Sequence, residues 1–473
     1  MRDMESRRAK IVCTIGPATR TEEMLTRLIE AGMDVCRLNM SHGTHEEHGE
    51  VITRIRKVSA QTGKQVAILM DLSGPKIRIG ELPAPRALHV GDEVWFTTNL
   101  DAPREGDIPV KYPQFTNEVG VGERFSLADG LIHMECLELS GERLKAKVHH
   151  GGTLSSSKGV NLPTGGEGLP SLTDKDAVDL RFGLKAGVDW VSLSFVRSPS
   201  DAGPPRRIME EEGRRVPLMA KIEKPQALLN LDAIVKAFDG IMVARGDLGV
   251  EVPLERLPII QKDVIARANR LGKPVVTATQ MLLTMVGNPT PSRAETTDVA
   301  NAMMDGTDAV MLSEETAMGS YPVEAVKMMN RIGEQVARSG ISQPVMVPAP
   351  PGEMTPTEAI AKATRSVALE IGAKAIVIPT TSGATARHIA ATRPNQPILA
   401  LSTLHDTVHQ LGVSWGVTAM EISPQDSTDA VFERCRQAAL ETGLAERGDL
   451  VVVTAGHPLH VAGNTNILKI LRI

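Results

Sequence analysis

The chain has 473 residues, 42% of them hydrophobic and only 3% aromatic, with a formal net charge of −5. That length holds about two to four domains with sizeable cores, while the faint negative charge and scarce rings argue against a nucleic-acid partner. No apolar run approaches the ~18 residues of a membrane span, and "MRDMESRRAKIV" is too charged for a secretory leader, so no membrane partner is expected and the cytoplasm is the expected compartment.

In chain order, short apolar runs ending in polar or glycine residues alternate with helix-like stretches. The runs are "KIVCTIGP", "DVCRLNMSHG", "VAILMDLSG", "DWVSLSFVRS", "PLMAKIEKP", "GIMVARGDLG", "PVVTATQML" and "AVMLSEET". The first helix is predicted from Thr21, as N-cap, to Ala31, with Gly32 just beyond its end. Continuous β-branched and aliphatic strands separated by amphipathic helices mean a parallel sheet covered on both faces. Eight such units predict a closed (β/α)₈ TIM barrel.

The stretch between the third run and a helix starting near Thr173 reads differently. "ALHVGDEVWFTT", "GVGERFSLADGLIHMECLEL" and "GERLKAKVHHGGTL" are alternating strands broken by Gly-Asp, Asp-Gly and Gly-Glu turns. A small β domain inserted in a barrel loop is expected, placed to act as a lid. After Ser339 a proline-rich linker, "SQPVMVPAPPGEMTP", leads to an open-sheet α/β domain with strands in "AKAIVIPTT", "PILALST", "GVTAM" and "DLVVVTAG". The expected division is therefore barrel 1–72, lid 73–163, barrel 164–338 and C-terminal domain 339–473. The cysteines, Cys13, Cys36, Cys136 and Cys435, form no CxxC pair and read as buried and reduced.

Residues at the carboxyl ends of barrel strands converge on one site. Here they are Arg37, Asn39, Ser41 and His42; Asp71; Lys221 and Glu223; Arg245, Gly246 and Asp247; Thr279 and Gln280; and Ser313, Glu314 and Glu315. Glu223 and Asp247 follow consecutive strands, which lie about 4.8 Å apart, so the two carboxylates can share a Mg²⁺ ion. The competing arrangement pairs Glu223 with Lys221 or Lys224. The turn at Gly246 offers backbone amides to an anion. Arg37 and Lys221 supply fixed positive charge without a Walker or protein-kinase motif. Lys221 could alternatively be a Schiff-base nucleophile. His42, His45 and His48 have spacing that could hold zinc, without a fourth ligand in view. "TTSGATAR" resembles a phosphate cradle at a helix start, with Thr380, Thr381, Ser382, Gly383 and Thr385 as its residues.

As a set, "KIVCTIGPAT", "CRLNMSHGTHEEH", "DLSGPKIR", "KGVNLP", "AKIEKP", "GIMVARGDLGVE", "TATQML", "SRAETTDVANAMMDGTDAVMLSEET" and "SYPVEAV" resemble the pyruvate kinase family, in order and over essentially the whole chain. The resemblance implies phosphoenolpyruvate and ADP as substrates, pyruvate and ATP as products, Mg²⁺ or Mn²⁺ as cofactor, a homotetramer, and a C-terminal domain that takes a sugar-phosphate or nucleotide effector. It implies Glu223 and Asp247 as metal ligands, and Lys221 with Arg37 on the transferring phosphoryl. Ala244, Arg245, Gly246 and Asp247 would hold the substrate carboxylate, and Thr279 would stand where the enolate is protonated. Asn39, His42, Arg78 and Lys158 would face the nucleotide. A metal-dependent phosphoenolpyruvate or pyruvate aldolase or lyase is the rival, without need of the lid.

Members of that family that use K⁺ hold it with positions matching Asn39, Ser41, Asp71 and the backbone of Leu72, and carry glutamate where this chain has Lys76. Lys76 and Leu72 resemble the members that work without K⁺. The expectation is that the ammonium of Lys76 replaces the ion, with Asp71 as its partner, leaving Arg78 for the nucleotide. Departures from the family pattern are Glu314 in "SEET", "NLPTGGEG", and a single acid, Asp129, in "LADG".

Overall fold

The computed structural model describes residues 7–162, 165, 168–340, 354–456 and 465–473. Eight parallel strands close into a barrel: Lys10–Thr14, Val35–Asn39, Ala67–Asp71, Trp190–Leu193, Leu218–Ile222, Gly240–Ala244, Val275–Ala278 and Ala309–Leu312. The predicted first helix is found at Glu22–Ala31, where the Thr21 hydroxyl accepts the Met24 N–H at 3.3 Å and Gly32 ends the helix at φ 129°. The helix Asp174–Ala186 begins at Thr173 with a reciprocal capping box to Asp176. The linker "SQPVMVPAPPGEMTP" falls largely outside the described residues.

Strand side chains alternate between faces, and the two cores follow that alternation. Ile11, Cys36, Ile68, Val191, Ala220 and Val243 pack outward against the helices. Val12, Val35, Leu69, Trp190, Met219 and Met242 fill the barrel interior. Stepping two residues along each inward face leads from these apolar plugs to polar strand ends: Val35 to Arg37 and Asn39, Leu69 to Asp71, Trp190 to Ser192, Met219 to Lys221.

Between the third and fourth strands lies the lid, a six-stranded sheet whose long hairpin is Ile132–Ser140 with Arg143–His150. Its core is separate from the barrel's, centred on Phe96, Phe115 and Phe125 in edge-to-face contact. One hinge is anchored to the barrel. Lys224 Nζ donates to the Leu162 carbonyl and to Glu251 Oε1, each at 2.9 Å, and Asn161 Nδ2 donates to the same Glu251 oxygen at 3.2 Å.

The C-terminal domain is a five-stranded sheet. The four strands expected are Ala375–Pro379, Ile398–Ser402, Val417–Glu421 and Leu450–Gly456. A fifth, Thr465–Arg472, was not expected; it lies antiparallel at the edge, and its exposed positions blur the apolar run. This domain closes the amino-terminal mouth of the barrel. Val413 joins the interior core, Trp190 Nε1 donates to the Gln410 carbonyl at 2.8 Å, and the buried Arg393 pairs with Asp308 at 3.0 Å.

Candidate active site

The inward strand ends form a compact cluster of alternating charge. Arg37 donates from Nε and Nη2 to Asp71 Oδ2 at 2.8 and 2.5 Å, and from Nη1 to Thr14 Oγ1 at 2.9 Å. Asp71 Oδ1 accepts from Ser192 Oγ at 2.7 Å. Lys221 Nζ lies 3.4 Å from that oxygen, 3.0 Å from Glu223 Oε1 and 2.7 Å from Ser194 Oγ. Asp71 and Glu223 are 1% and 0% exposed, so their charges need partners at hand.

Burial alone would lower the pKa of Lys221, but Asp71 first and Glu223 second outweigh it and raise it. The side chain is therefore an ammonium cation, not the neutral amine that Schiff-base chemistry requires. Asp71 is pushed up by burial and pulled further down by Lys221 and Arg37, so it stays ionised. Glu223 differs. Burial, with Asp247 adding, carries it up to about 7 against the opposing pull of Lys221.

The position of Glu223 rests on unusual backbone. Phe195 adopts φ 56° just past the fourth strand, and its N–H donates to Glu223 Oε2 at 2.7 Å. Gly74, at φ 69°, packs on this turn; a Cβ there would sit 2.7 Å from the Ser194 Cβ. Glu223 Oε1 is buried and accepts no aligned hydrogen bond, though Lys221 stands at ion-pair distance. Asp247, in the first turn of the helix Arg245–Glu251, is half-buried, and Lys76 Nζ approaches its Oδ1 at 3.6 Å. Two hard oxygen donors, one of them lacking a full partner, fit Mg²⁺ or Mn²⁺, which take one or two carboxylates and complete their shell with water and phosphate. Among the described residues no group of three or more His, Cys, Asp or Glu side chains gathers as a metal cage.

Thr279 closes the other wall. It and Gln280 take φ 72° and 54°, a pair of left-handed non-glycine residues, and a β-branched residue there is a strained outlier. The Thr279 hydroxyl donates to the Ala278 carbonyl at 2.6 Å and accepts the Gly246 N–H at 2.8 Å. The Gly246 amide expected to face an anion is thus engaged by Thr279. The Arg245 guanidinium donates to Asp298 Oδ1 at 2.7 Å and to the Thr279 carbonyl at 2.8 Å. Its contribution is to brace the strained turn. Asp129, Arg245, Gly246, Thr279, Gln280 and Asp298 border a cleft of about 1080 Å³.

Several expectations are corrected. Lys76 does not pair with Asp71, whose oxygens are taken by Arg37, Ser192 and Lys221; it pairs with Asp129 Oδ1 at 2.9 Å and with Asp247. The monovalent set is also engaged internally: Asn39 Oδ1 accepts the Ser41 N–H at 3.1 Å, and the Leu72 carbonyl accepts from Ser194 Oγ at 2.7 Å. The histidines of "SHGTHEEH" are engaged separately. His45 meets Asp179 at 2.7 Å and stacks on Phe182, and His48 Nε2 bonds the His42 carbonyl at 2.8 Å. Lys224 pairs with Glu251, leaving Lys221 as the partner of Glu223. Glu314 is exposed, whereas Glu315 is buried and accepts the Leu282 and Ser313 N–H groups. Arg78, whose Nη1 donates to the Ser157 carbonyl at 3.0 Å, and Lys158 are both exposed at the lid root. Ser192 and Ser194 were not anticipated. Their signal was the alternation in "WVSLSF", which puts Trp190, Ser192 and Ser194 on one face.

At the C-terminal loop, Thr380 Oγ1 accepts the Gly383 N–H at 3.0 Å, Thr407 Oγ1 donates to the Thr381 carbonyl at 2.8 Å, and Thr385 Oγ1 meets Thr465 Oγ1 at 2.6 Å. Gly383, at φ 76°, is the N-cap of the helix Ala384–Ala391, and no side chain caps it.

Comparison with known proteins agrees with this architecture. The family model for the pyruvate kinase barrel domain matches residues 6–326, and that for the pyruvate kinase alpha/beta domain matches residues 358–471. The chain is 43% identical to the pyruvate kinase of Geobacillus stearothermophilus over 469 residues, covering 98% of this chain and 80% of the relative. It is 44% identical to that of Staphylococcus aureus strain MRSA252 over 468 residues, with the same coverage. It is 45% identical to pyruvate kinase 2 of a Synechocystis species over 469 residues, covering 98% and 79%. The chain belongs to the pyruvate kinase family.

Proposed function

We propose that this protein transfers the phosphoryl group of phosphoenolpyruvate to ADP, giving pyruvate and ATP. The observation that carries the reading is the Lys221 ammonium, held between Asp71 and Glu223 beside Asp247 at the barrel mouth. Asp71 is shared by Arg37 and Lys221, which holds both cations in place at the strand ends. A divalent ion on Glu223 and Asp247 would supply the Lewis acidity that a multiply charged phosphoryl group and the departing enolate require.

The chain's own residues do the rest. Lys221 and Arg37 face the phosphoryl group and stabilise charge on its oxygens as they separate from the enol oxygen. A terminal oxygen of ADP forms the new P–O bond while the bond to the enol oxygen breaks. The electron pair stays on the enolate, and its methylene carbon takes a proton on the Thr279 side. The strained Thr279–Gln280 turn, braced by Arg245, keeps that hydroxyl in place. Asn39, His42, Arg78 and Lys158 are assigned to the nucleotide.

The reading extends to a homotetramer in the cytoplasm, to Mg²⁺ or Mn²⁺ as the metal, and to a phosphorylated effector at Thr380–Thr385. It also holds that K⁺ is not required, since Lys76 places a fixed charge beside Asp247. A coupled assay of pyruvate release, with and without ADP and with and without Mg²⁺ or Mn²⁺, tests the central claim. Release that proceeds equally well without ADP overturns it.

A further inference from the structure

Lys224 and Glu251 join three parts of the molecule at one buried point. Lys224 directly follows Glu223 at the end of the strand Leu218–Ile222, and Glu251 stands one turn beyond Asp247 on the helix Arg245–Glu251. Their ion pair, Lys224 Nζ to Glu251 Oε1 at 2.9 Å, therefore links the same two elements that carry the carboxylates of the site. The lid supplies the third part, where its chain returns to the barrel. Lys224 Nζ also donates to the Leu162 carbonyl at 2.9 Å, and Asn161 Nδ2 donates to Glu251 Oε1 at 3.2 Å. We propose that Lys224 is a positioning residue that couples the lid to the metal: through Glu251 it makes the spacing of Glu223 and Asp247 depend on where the lid's return crossing sits.

Asn161 and Leu162 belong to the lid. The strand Val160–Asn161 pairs with Arg124–Leu127, the Ala128 N–H donates to the Gly159 carbonyl at 2.9 Å, and Leu162 lies in the lid core. A displacement of the lid sheet is thus passed directly to both residues. The side chains they meet are buried, Lys224 being 9% and Glu251 6% exposed, and Asn161 is 4% exposed. Separating the pair there would strand a charge away from water, so it moves as a unit. The same helix carries a second lid contact, since a Cβ on Gly130 would come within 3.1 Å of both Val250 methyls. It presents Asp247 to the site, and Val250 and Glu251 to the lid base.

Glu223 itself is held by the Phe195 N–H and by Lys221. Lys224 therefore acts on the separation of the two elements rather than on a carboxylate of the site. Coupling of this kind is reciprocal. An ion that draws Glu223 and Asp247 together steadies the lid root, and a loosened lid root weakens the hold on the ion. The identity of Glu223 and Asp247 as metal ligands rests on the function proposed above.

The test needs no substrate. Mn²⁺ binding to the full chain is read by electron paramagnetic resonance, and order at the lid root by hydrogen–deuterium exchange at residues 159–162. In the parent, Mn²⁺ should slow that exchange about 5-fold or more. Lys224→Met should abolish the slowing and weaken Mn²⁺ binding by a like factor, about 5-fold or more, whereas Lys224→Arg should keep most of both. Lys224→Met combined with Glu251→Leu replaces the buried pair by apolar side chains, which a fold tolerates where it does not tolerate a stranded charge. That double variant should lack the coupling as well. Parental Mn²⁺ affinity and parental slowing in the double variant would overturn the proposal. So would a uniform rise in exchange across the barrel strands, which would mean that the pair only stabilises the fold. A parent that binds no Mn²⁺ would overturn it together with the metal reading, whereas Mn²⁺ bound without slowing at 159–162 overturns it alone, whatever the pyruvate assay gives.

Discussion

Arg37 directs two N–H groups at one oxygen of Asp71, Oδ2, and leaves Oδ1 to Ser192 and Lys221. Asp71 thus fixes the distance between the site's two cations, and neither can shift without leaving a buried carboxylate under-paired. This rigidity matters because preorganised charge costs no reorganisation in the transition state.

Lys221→Met should therefore lower kcat by about 10²–10³ while changing KM for phosphoenolpyruvate far less, because the cation acts most as charge spreads over the separating phosphoryl group. Steady-state kinetics with a coupled assay reads both constants. A change confined to KM would remove Lys221 from this role.

Activity in tetramethylammonium salts should be unaffected by KCl added at constant ionic strength. Lys76 carries the charge that K⁺ would bring, beside Asp247 rather than Asp71. Lys76→Glu should become K⁺-dependent. Many-fold activation of the parent enzyme by K⁺ would refute the substitution.

Fructose 1,6-bisphosphate, ribose 5-phosphate, glucose 6-phosphate and AMP, titrated in turn, should yield at least one that lowers KM for phosphoenolpyruvate, and Ser382→Asp should abolish that response. The helix at Gly383 has no side-chain cap, so its first amides are open to an oxyanion. Indifference to all of these would make the loop an ordinary turn.

Docking of the C-terminal domain should weaken as pH falls through about 6.5. Burial lowers the pKa of His409. Its Nδ1 accepts from Arg56 Nη1 at 3.3 Å; Asp189 and His405 lie beside it. A histidine held neutral in the folded state contributes stability that is present above its unfolded pKa, near 6.5, and is lost as pH drops toward the depressed folded value. Calorimetry between pH 7.5 and 5 should show this loss in the parent and a flatter profile in His409→Gln.

Arg393→Met should cost about 3–5 kcal/mol, the usual penalty for stranding a buried charge. Arg393 is buried with Asp308 Oδ2 at 3.0 Å and also bonds Asn269. Asp308 accepts the Trp415 N–H as well, so the loss should appear as separated melting of barrel and C-terminal domain. An unchanged single transition would count against it.

Local chemistry made much of the molecule legible from the chain alone. Eight apolar runs with helices between them point to a closed parallel barrel, because such strands need cover on both faces and eight βα units are the number that closes one. Thr21, Gly32 and Thr173 marked helix ends because capping is satisfied within a few residues. Arg37, Asp71, Lys221 and Glu223 were identifiable since strand ends point to one place. Pairing across the fold was decided by tertiary structure. Nothing local distinguishes Asp71 from Asp129 as the partner of Lys76; the lid sheet must first bring the Ala128–Asp129 turn beside the segment after Lys76. The same holds for Ser192 and Ser194, for the brace from Arg245 to Thr279, and for Val413 and Gln410 closing the far mouth of the barrel. Local geometry reaches only a few residues along the chain, whereas Lys76 and Asp129, 53 positions apart, meet only after the lid sheet has folded and brought Ile77 and Ala128 into one core.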